Sequence, residues 1–240
     1  LINNVFEKSL VEQLDKKVKV IYLGRNPGSK NPFHILRLNF TLFQFNYDII
    51  HLHSAAITNF IFPFWKSKVI LHVHDSLATK YIPKARKYIA VSLSVKKMLE
   101  IEYNLTDINV IYNAVDFDKF LKRDNYEIKN KIISIGRLKL SHKNHDGLIR
   151  EFFKIKDLFD ANLFIIGEGA DRSYLKNLIR DLEMQDRVFL MGSKNQKWIQ
   201  KNLHDYDLFV QSSHYEGFGI TAIEAAAACI PLILSKVDGH

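Results

Sequence analysis

Two α/β domains, each a doubly wound parallel sheet, are what the sequence predicts, on three observations. Short apolar runs alternate with longer segments of helical periodicity along the whole chain. Strands that alternate with helices imply parallel sheets covered by helices on both faces. The alternation breaks once, at residues 116–131, where nine charged side chains (Asp116, Asp118, Lys119, Lys122, Arg123, Asp124, Glu127, Lys129 and Lys131) mark the expected linker.

In order, Val5, Phe6, Leu10 and Leu14 recur at helical spacing over residues 3–16, and 18–23 reads as a short buried strand. Residues 33–45 are helical again, and 48–53, 68–73 and 87–91 are strands. Ser92 is a good N-cap for a helix to about residue 103, and 109–112 closes this half. Beyond the charged stretch, strands are expected at 132–135, 163–166, 188–190, 208–211 and 231–234. Helices fill the intervals at 144–158, 172–183, 194–204 and 220–227. The domains are accordingly 1–124 and 125–240, with no repeat at solenoid spacing.

Composition narrows the function classes. With 47% hydrophobic and 25% charged residues in 240, the chain buries a real core and is not disordered. One cysteine, Cys229, excludes an internal disulfide framework and makes the cytosol the default. No apolar run is long enough for a membrane span, and Asn3, Asn4, Glu7 and Glu12 spoil a signal-peptide pattern. The basic excess is lopsided: 18 basic against 11 acidic residues up to Asp124, and 16 against 15 beyond. A basic half either serves solubility or meets an anionic partner.

In a doubly wound sheet, ligands bind beyond the carboxyl ends of the strands, so the loops there carry the chemistry. Gly136-Arg137 follows the first strand of the second half, with Lys143 six residues on; both cations suit a diphosphate. Gly167-Glu168-Gly169 is a tight turn that lets backbone come close to a ligand. Glu216-Gly217-Phe218-Gly219 leads into a helix start, where amides and the helix dipole favour phosphate. Glu224 lies in that helix among Ala222, Ala225, Ala226, Ala227 and Ala228, a costly place for a charge without a task.

These residues resemble the retaining, nucleotide-sugar-dependent glycosyltransferases of family four, which have the GT-B fold: two Rossmann-like domains facing across a cleft. Glu216 to Glu224 matches the family's E-x7-E signature, and Gly136-Arg137 with Lys143, Gly167-Glu168-Gly169, Val188 to Gly192 and Asn113-Ala114-Val115-Asp116 match in order and spacing. The resemblance implies that Arg137, Lys143 and the amides of Gly217, Phe218 and Gly219 hold the donor diphosphate, with Gly136 and Gly167 in the surrounding loops. It implies Glu224 on the ribose, Glu216 near the transferred sugar, Phe189 and Leu190 facing the base, and His74 as the active-site histidine. It further implies a UDP-linked donor, a glycan or lipid-linked acceptor in cell-surface polysaccharide biosynthesis, and no metal cofactor. The family has a strand and glycine-rich loop before the segment at Leu1 and further elements after His240, so both ends are expected to be cut and the fragment itself inactive.

Other readings stay open. The chain is alternatively a noncatalytic nucleotide-sugar or anionic-polymer module. His51-Leu52-His53 and His72-Val73-His74 each place two imidazoles on one strand face, a spacing metallohydrolases use, with Asp75 the one further ligand to nominate. A packed or hydrogen-bonded role is the reading for His51 and His72. Asp116-Phe117-Asp118 and Asp205-Tyr206-Asp207 are read as coincidental D-x-D triplets. Nucleic acid is not an expected partner, since basic residues do not interleave with a stacking platform. Lys80, Lys84, Arg86, Lys87, Lys96 and Lys97 either keep the domain soluble or dock it on an anionic inner membrane face.

Overall fold

The structure, a computed structural model, describes residues 2–3, 8–12, 14–26, 29, 31–74, 82–237 and 239. They form two compact units, Leu1–Val73 with Thr79–Ile89, and His74–Ala78 with Ala90–His240.

The first unit begins with strand β1 (Ile2–Asn3), helix α1 (Lys8–Val11) and strand β2 (Ile21–Tyr22), and β1 and β2 pair in parallel as a small separate sheet. The helix expected over 3–16 is therefore only the four residues of α1 within the described part; strand pairing wins at Ile2–Asn3, where apolar spacing alone gives no warning. Helix α2 (Phe33–Phe45) has its expected bounds and ends on Asn46 in the left-handed region (φ 41°). It buries Leu38 and Leu42 against Ile50, Ile61, Trp65 and Val69. Buried Asn39 is satisfied on both ends: its amide donates to the Ile35 and Phe60 carbonyls (2.9 and 2.8 Å) and its Oδ1 accepts from the Phe62 amide (2.8 Å). The other face of α2 exposes Phe33, Leu36, Phe40 and Phe43. Strand β3 (Ile50–Leu52), helix α3 (Ala55–Thr58), a 3-10 segment at Pro63–Lys68 and strands β4 (Val69–Val73) and β5 (Lys87–Ala90) follow. Pairs Ile50↔Val69, His51↔Ile70 and Leu52↔Leu71 set β3 and β4 parallel.

The second unit opens with helix α4 (Leu93–Tyr103). As its N-cap, Ser92 Oγ accepts from the Val95 amide at 3.2 Å. Strand β6 (Ile108–Val110) follows. Then come β7 (Lys131–Ile135), α5 (Leu140–Lys143), α6 (His145–Lys154), β8 (Asn162–Ile166), α7 (Arg172–Asp181), β9 (Val188–Gly192), α8 (Gln196–Asn202), β10 (Leu208–Gln211), α9 (Ile220–Ala227) and β11 (Leu232–Leu234). The five strands order as β11-β10-β7-β8-β9, all parallel. Two apolar clusters cover the sheet, one with Ile133, Phe209, Ala225 and Leu203, the other with Leu163, Ile165, Ile149 and Leu175.

The charged stretch read as a linker is fastened to this second unit. Phe120 enters its core, and Arg123, almost fully buried, donates to the carbonyls of Asn125, Tyr206 and Glu127 and to Asp207 Oδ1 at 2.8 Å. The Asp207 carboxylate also accepts the amides of Lys129 and Lys131, and Asp205 pairs with Lys129. The second D-x-D triplet thus staples the chain entry to β10, and these bonds hold the Asp207 carboxyl below its ordinary range against the upward pull of its burial.

Candidate functional site

From β7, the chain adds β8 and β9 on one side and β10 and β11 on the other. That reversal puts a crevice at the carboxyl ends of β7 and β10, the place where open α/β sheets bind ligands. Gly136-Arg137 leaves β7 and Ser212 to Gly219 leaves β10, so these two sequence motifs meet at the switch point.

Glycines at the neighbouring turn carry a packing task as well. A Cβ on Gly167 (φ 147°) falls 1.9 Å from the Gly136 carbonyl oxygen, and one on Gly169 falls 2.3 Å from the Leu138 carbonyl oxygen. The close approach they permit is between two loops, and Gly167 also lines the cavity described next. Hydrogen bonds from Leu138 N to Glu168 O (3.0 Å) and from Gly167 N to Gly192 O (3.0 Å) lock that register.

A cavity of about 400 Å³ opens there, within the usual ligand-site range. Gly136, Arg137, Gly167 and Glu224 line it together, as does Thr221. Ser193, Lys194 and Gln196 contribute as well, and no sequence motif singled them out; their only signal was their place after a strand end. Glu224 is 6% exposed, and Gln196 Nε2 donates to its Oε1 at 2.6 Å. Burial raises the Glu224 pKa, partly opposed by that hydrogen bond. Thr221 Oγ1 donates to Gln211 Oε1 (3.0 Å), tying the first turn of α9 to β10.

Beside it lies a buried polar knot. Lys143 Nζ pairs with Glu216 Oε1, which also accepts from Gln211 Nε2 and from Ser213 Oγ (2.7 Å). Glu216 is 8% exposed. The Lys143 stem lies against Gly136, its Cδ 3.1 Å from where a Cβ would stand. The two catalytic candidates thus hold one another, and Lys143 reaches Glu216 across the loop that carries Arg137.

Other candidates lie elsewhere. Phe189 and Leu190 belong to β9 itself, not to a loop, because the strand runs on to Gly192; Phe189 stacks on Phe164 (5.1 Å), and Leu190 packs on the core. Phe218 and Gly219 line a separate apolar cavity of about 410 Å³ with Tyr112 and Ala222, and Gly217 precedes them in the same loop. Gly219 caps α9 in the left-handed region (φ 65°). His74 is exposed just after β4, and Asp75 and Lys80 lie outside the described residues. In the first unit His51, His53 and His72 come together, a grouping the two sequence pairs did not foresee. Burial, then the neighbouring His53, lowers the His51 pKa.

His145, the first residue of α6, is a further buried group missed by sequence reasoning. It is 2% exposed, and burial, then Lys143, lowers its pKa to about 4, while the Gly136 and Arg137 backbone nearby pulls weakly the other way. The unfolded value of 6.5 is higher, so the unfolded chain binds the proton first. Stability from the neutral ring is whole above pH 6.5 and drains away as pH falls toward 4, on the order of 3 kcal/mol. His145→Leu is expected to flatten the pH dependence of urea unfolding across that window. Identical pH slopes in variant and wild type would refute the assignment.

The family model described as Glycosyl transferases group 1 matches residues 116–240, and that described as Glycosyltransferase Family 4 matches 5–119. The fold is the GT-B fold, with two parallel-sheet α/β domains. The chain belongs to the group 1 glycosyltransferases. It is 31% identical over 184 residues to the uncharacterized glycosyltransferase MJ1607 of Methanocaldococcus jannaschii, covering 70% of this chain and 46% of the relative. It is 30% identical over 141 residues to the N-acetyl-alpha-D-glucosaminyl L-malate synthase of Bacillus anthracis, covering 55% and 36%. Among solved structures, the HepE protein of Anabaena in complex with UDP and glucose superposes with a TM-score of 0.78 at 20% identity, covering 97% of this chain and 71% of that one. A glycosyltransferase from Rickettsia africae gives 0.72 at 25% identity, covering 98% and 70%. The chain thus spans less than half the length of these two curated relatives.

Proposed function

We propose that the complete protein transfers a hexose from a UDP-linked sugar to a hydroxyl of a glycan or lipid-linked glycan, with retention of anomeric configuration, in cell-surface polysaccharide biosynthesis. One observation carries this reading: a ligand-sized cavity at the switch point with a buried carboxylate, Glu224, in its wall and the exposed Arg137 at its edge. Glu224 takes the ribose hydroxyls and Arg137 the diphosphate. Lys143, whose stem lies against Gly136, completes the stabilisation of the departing diphosphate, so the charge that builds on it needs no metal. Glu216 meets the transferred sugar, and His74 stands on the acceptor side. The acceptor oxygen bonds to the anomeric carbon as that carbon's bond to the diphosphate oxygen breaks, and its proton passes to the leaving phosphate on the same face. Solved relatives bound to UDP and to sugars support the donor class.

Glu224→Ala in the complete protein is expected to raise the donor KM about 10-fold with kcat nearly intact, since ribose contacts are alike in ground and transition states. Arg137→Ala should weaken UDP but not uridine. A pure kcat loss for the first, or equal loss of both ligands for the second, would refute these roles.

The same reading places the protein in the cytoplasm at the inner membrane face. Among the described residues no helix is long and apolar enough to cross a membrane. Lys84, Arg86, Lys87 and Lys97 are exposed, and Lys96 is half-buried and pairs with Glu100 at 3.7 Å. Such cations attract anionic lipid by about 1 kcal/mol each. Co-sedimentation with anionic but not neutral vesicles, fading with salt, is the check; equal recovery with both would end the idea.

A further inference from the structure

Three imidazoles gather at one place in the first unit, outside the cavity just described. His51 lies in β3, and His53, two positions on, follows the strand's last residue. The register His51↔Ile70 and Leu52↔Leu71, carried one step on, sets His72 of β4 beside His53. Ring centroids stand 4.5 Å apart for His51 and His53, 5.3 Å for His53 and His72, and 5.5 Å for His51 and His72. One ligand nitrogen from each ring lies within 4.8 Å of the other two.

We propose that His51, His53 and His72 form a three-histidine site for a late first-row divalent cation, zinc in first place, with one coordination position open to solvent. Donor chemistry selects the ion. Imidazole nitrogen suits zinc, cobalt, nickel and copper, whereas magnesium and calcium demand oxygen ligands that this triad does not supply. Geometry permits it. Zinc–nitrogen bonds of about 2.0–2.1 Å in a tetrahedron put the nitrogens roughly 3.3 Å apart, so the rings must close by about 1.5 Å at most. His51 and His53 are exposed and His72 half-buried, so a closing of this size is within a change of side-chain torsions at the two outer rings. His51 and His72 stand on paired parallel strands and His53 directly follows the first of them, so the backbone brings the three rings together before the ion arrives. Three protein ligands leave the fourth position for water or an oxygen anion, the pattern of zinc sites that react rather than merely brace. The pair-by-pair sequence reading nominated only Asp75, which lies outside the described residues, as a further ligand; the cross-strand neighbour His72 supplies a third imidazole.

The test is calorimetric titration of the chelator-treated, tag-free chain with zinc chloride, alongside cobalt chloride followed by visible absorption. One equivalent of zinc should bind at micromolar Kd or tighter, and cobalt should develop the strong visible bands of a four- or five-coordinate ion. His53→Asn and His51→Asn, both at exposed positions, should weaken zinc binding at least about 10-fold with unchanged circular dichroism. Magnesium chloride should give no heat. Wild-type zinc affinity in both variants, or a stoichiometry well below one, would overturn the site, because the chain's other seven histidines would then account for whatever binding remained. An equal response to magnesium would overturn the donor-set argument.

Discussion

Lys143→Met in the complete protein is expected to cut sugar transfer by about 100-fold or more, the scale for losing one preorganised charge stabiliser. The same change leaves Glu216 buried without its cation. Breaking a buried pair from one side typically costs about 3–5 kcal/mol. Here Gln211 and Ser213 still donate to Glu216, which places the loss at the low end of that range. Activity alone therefore does not separate a role at the diphosphate from a role in holding the loop. A comparison of ligands does. If Lys143 meets the diphosphate, the folded variant loses at least about 10-fold in UDP affinity while uridine affinity stays put. If Lys143 only braces Glu216, both affinities move together or neither does. Equal UDP binding by folded Lys143→Met and wild type would remove Lys143 from the diphosphate site.

The second unit was the more legible half, for a physical reason. Its sheet is covered on both faces, so Ile133, Leu163, Val188 and Phe209 stand in apolar runs that no solvent face dilutes. Helices Phe33–Phe45 and Ile220–Ala227 have the bounds that their periodicity predicts. What periodicity missed are one-turn elements such as Leu140–Lys143 and Ala55–Thr58, too short to show a repeat and held by their surroundings. Within the charged stretch one side chain was not legible: Arg123 looks like a solvated charge in sequence, yet its partner Asp207 is more than eighty residues away.

Within the candidate site, legibility followed local cost. Glu224 announced itself because a carboxylate in an alanine-rich helix is expensive unless it has a task. Arg137 and Lys143 stood at a strand end. Ser193 and Gln196, from the stretch after β9, and Thr221, from the helix that carries Glu224, reach the same cavity without a motif of their own. His72 joins His51 and His53 only through strand register, and His145 is special only because it is buried.

Gly167→Ala is expected to lower stability by about 3 kcal/mol and to weaken donor binding in whatever protein still folds. Two costs add. At φ 147° an alanine is strained on its own account, by roughly 1–3 kcal/mol. Its Cβ would also sit 1.9 Å from the Gly136 carbonyl oxygen, far inside any contact distance, and backbone rather than a flexible side-chain tip has to move. Relief by sliding the loops apart is opposed by Gly136 N to Ile166 O (2.9 Å), Leu138 N to Glu168 O (3.0 Å) and Gly167 N to Gly192 O (3.0 Å). Any displacement carries Arg137 with it, because Arg137 follows the peptide that is pushed. Gly136→Ala is the matched control: its Cβ meets the Lys143 stem at 3.1 Å, where a side chain yields by a few tenths of an ångström. Urea midpoints and UDP affinities of the two variants should therefore diverge, with Gly167→Ala much the worse on both. A Gly167→Ala protein as stable and as tight-binding as Gly136→Ala would mean that the two loops part at little cost, and that loop register does not set the cavity.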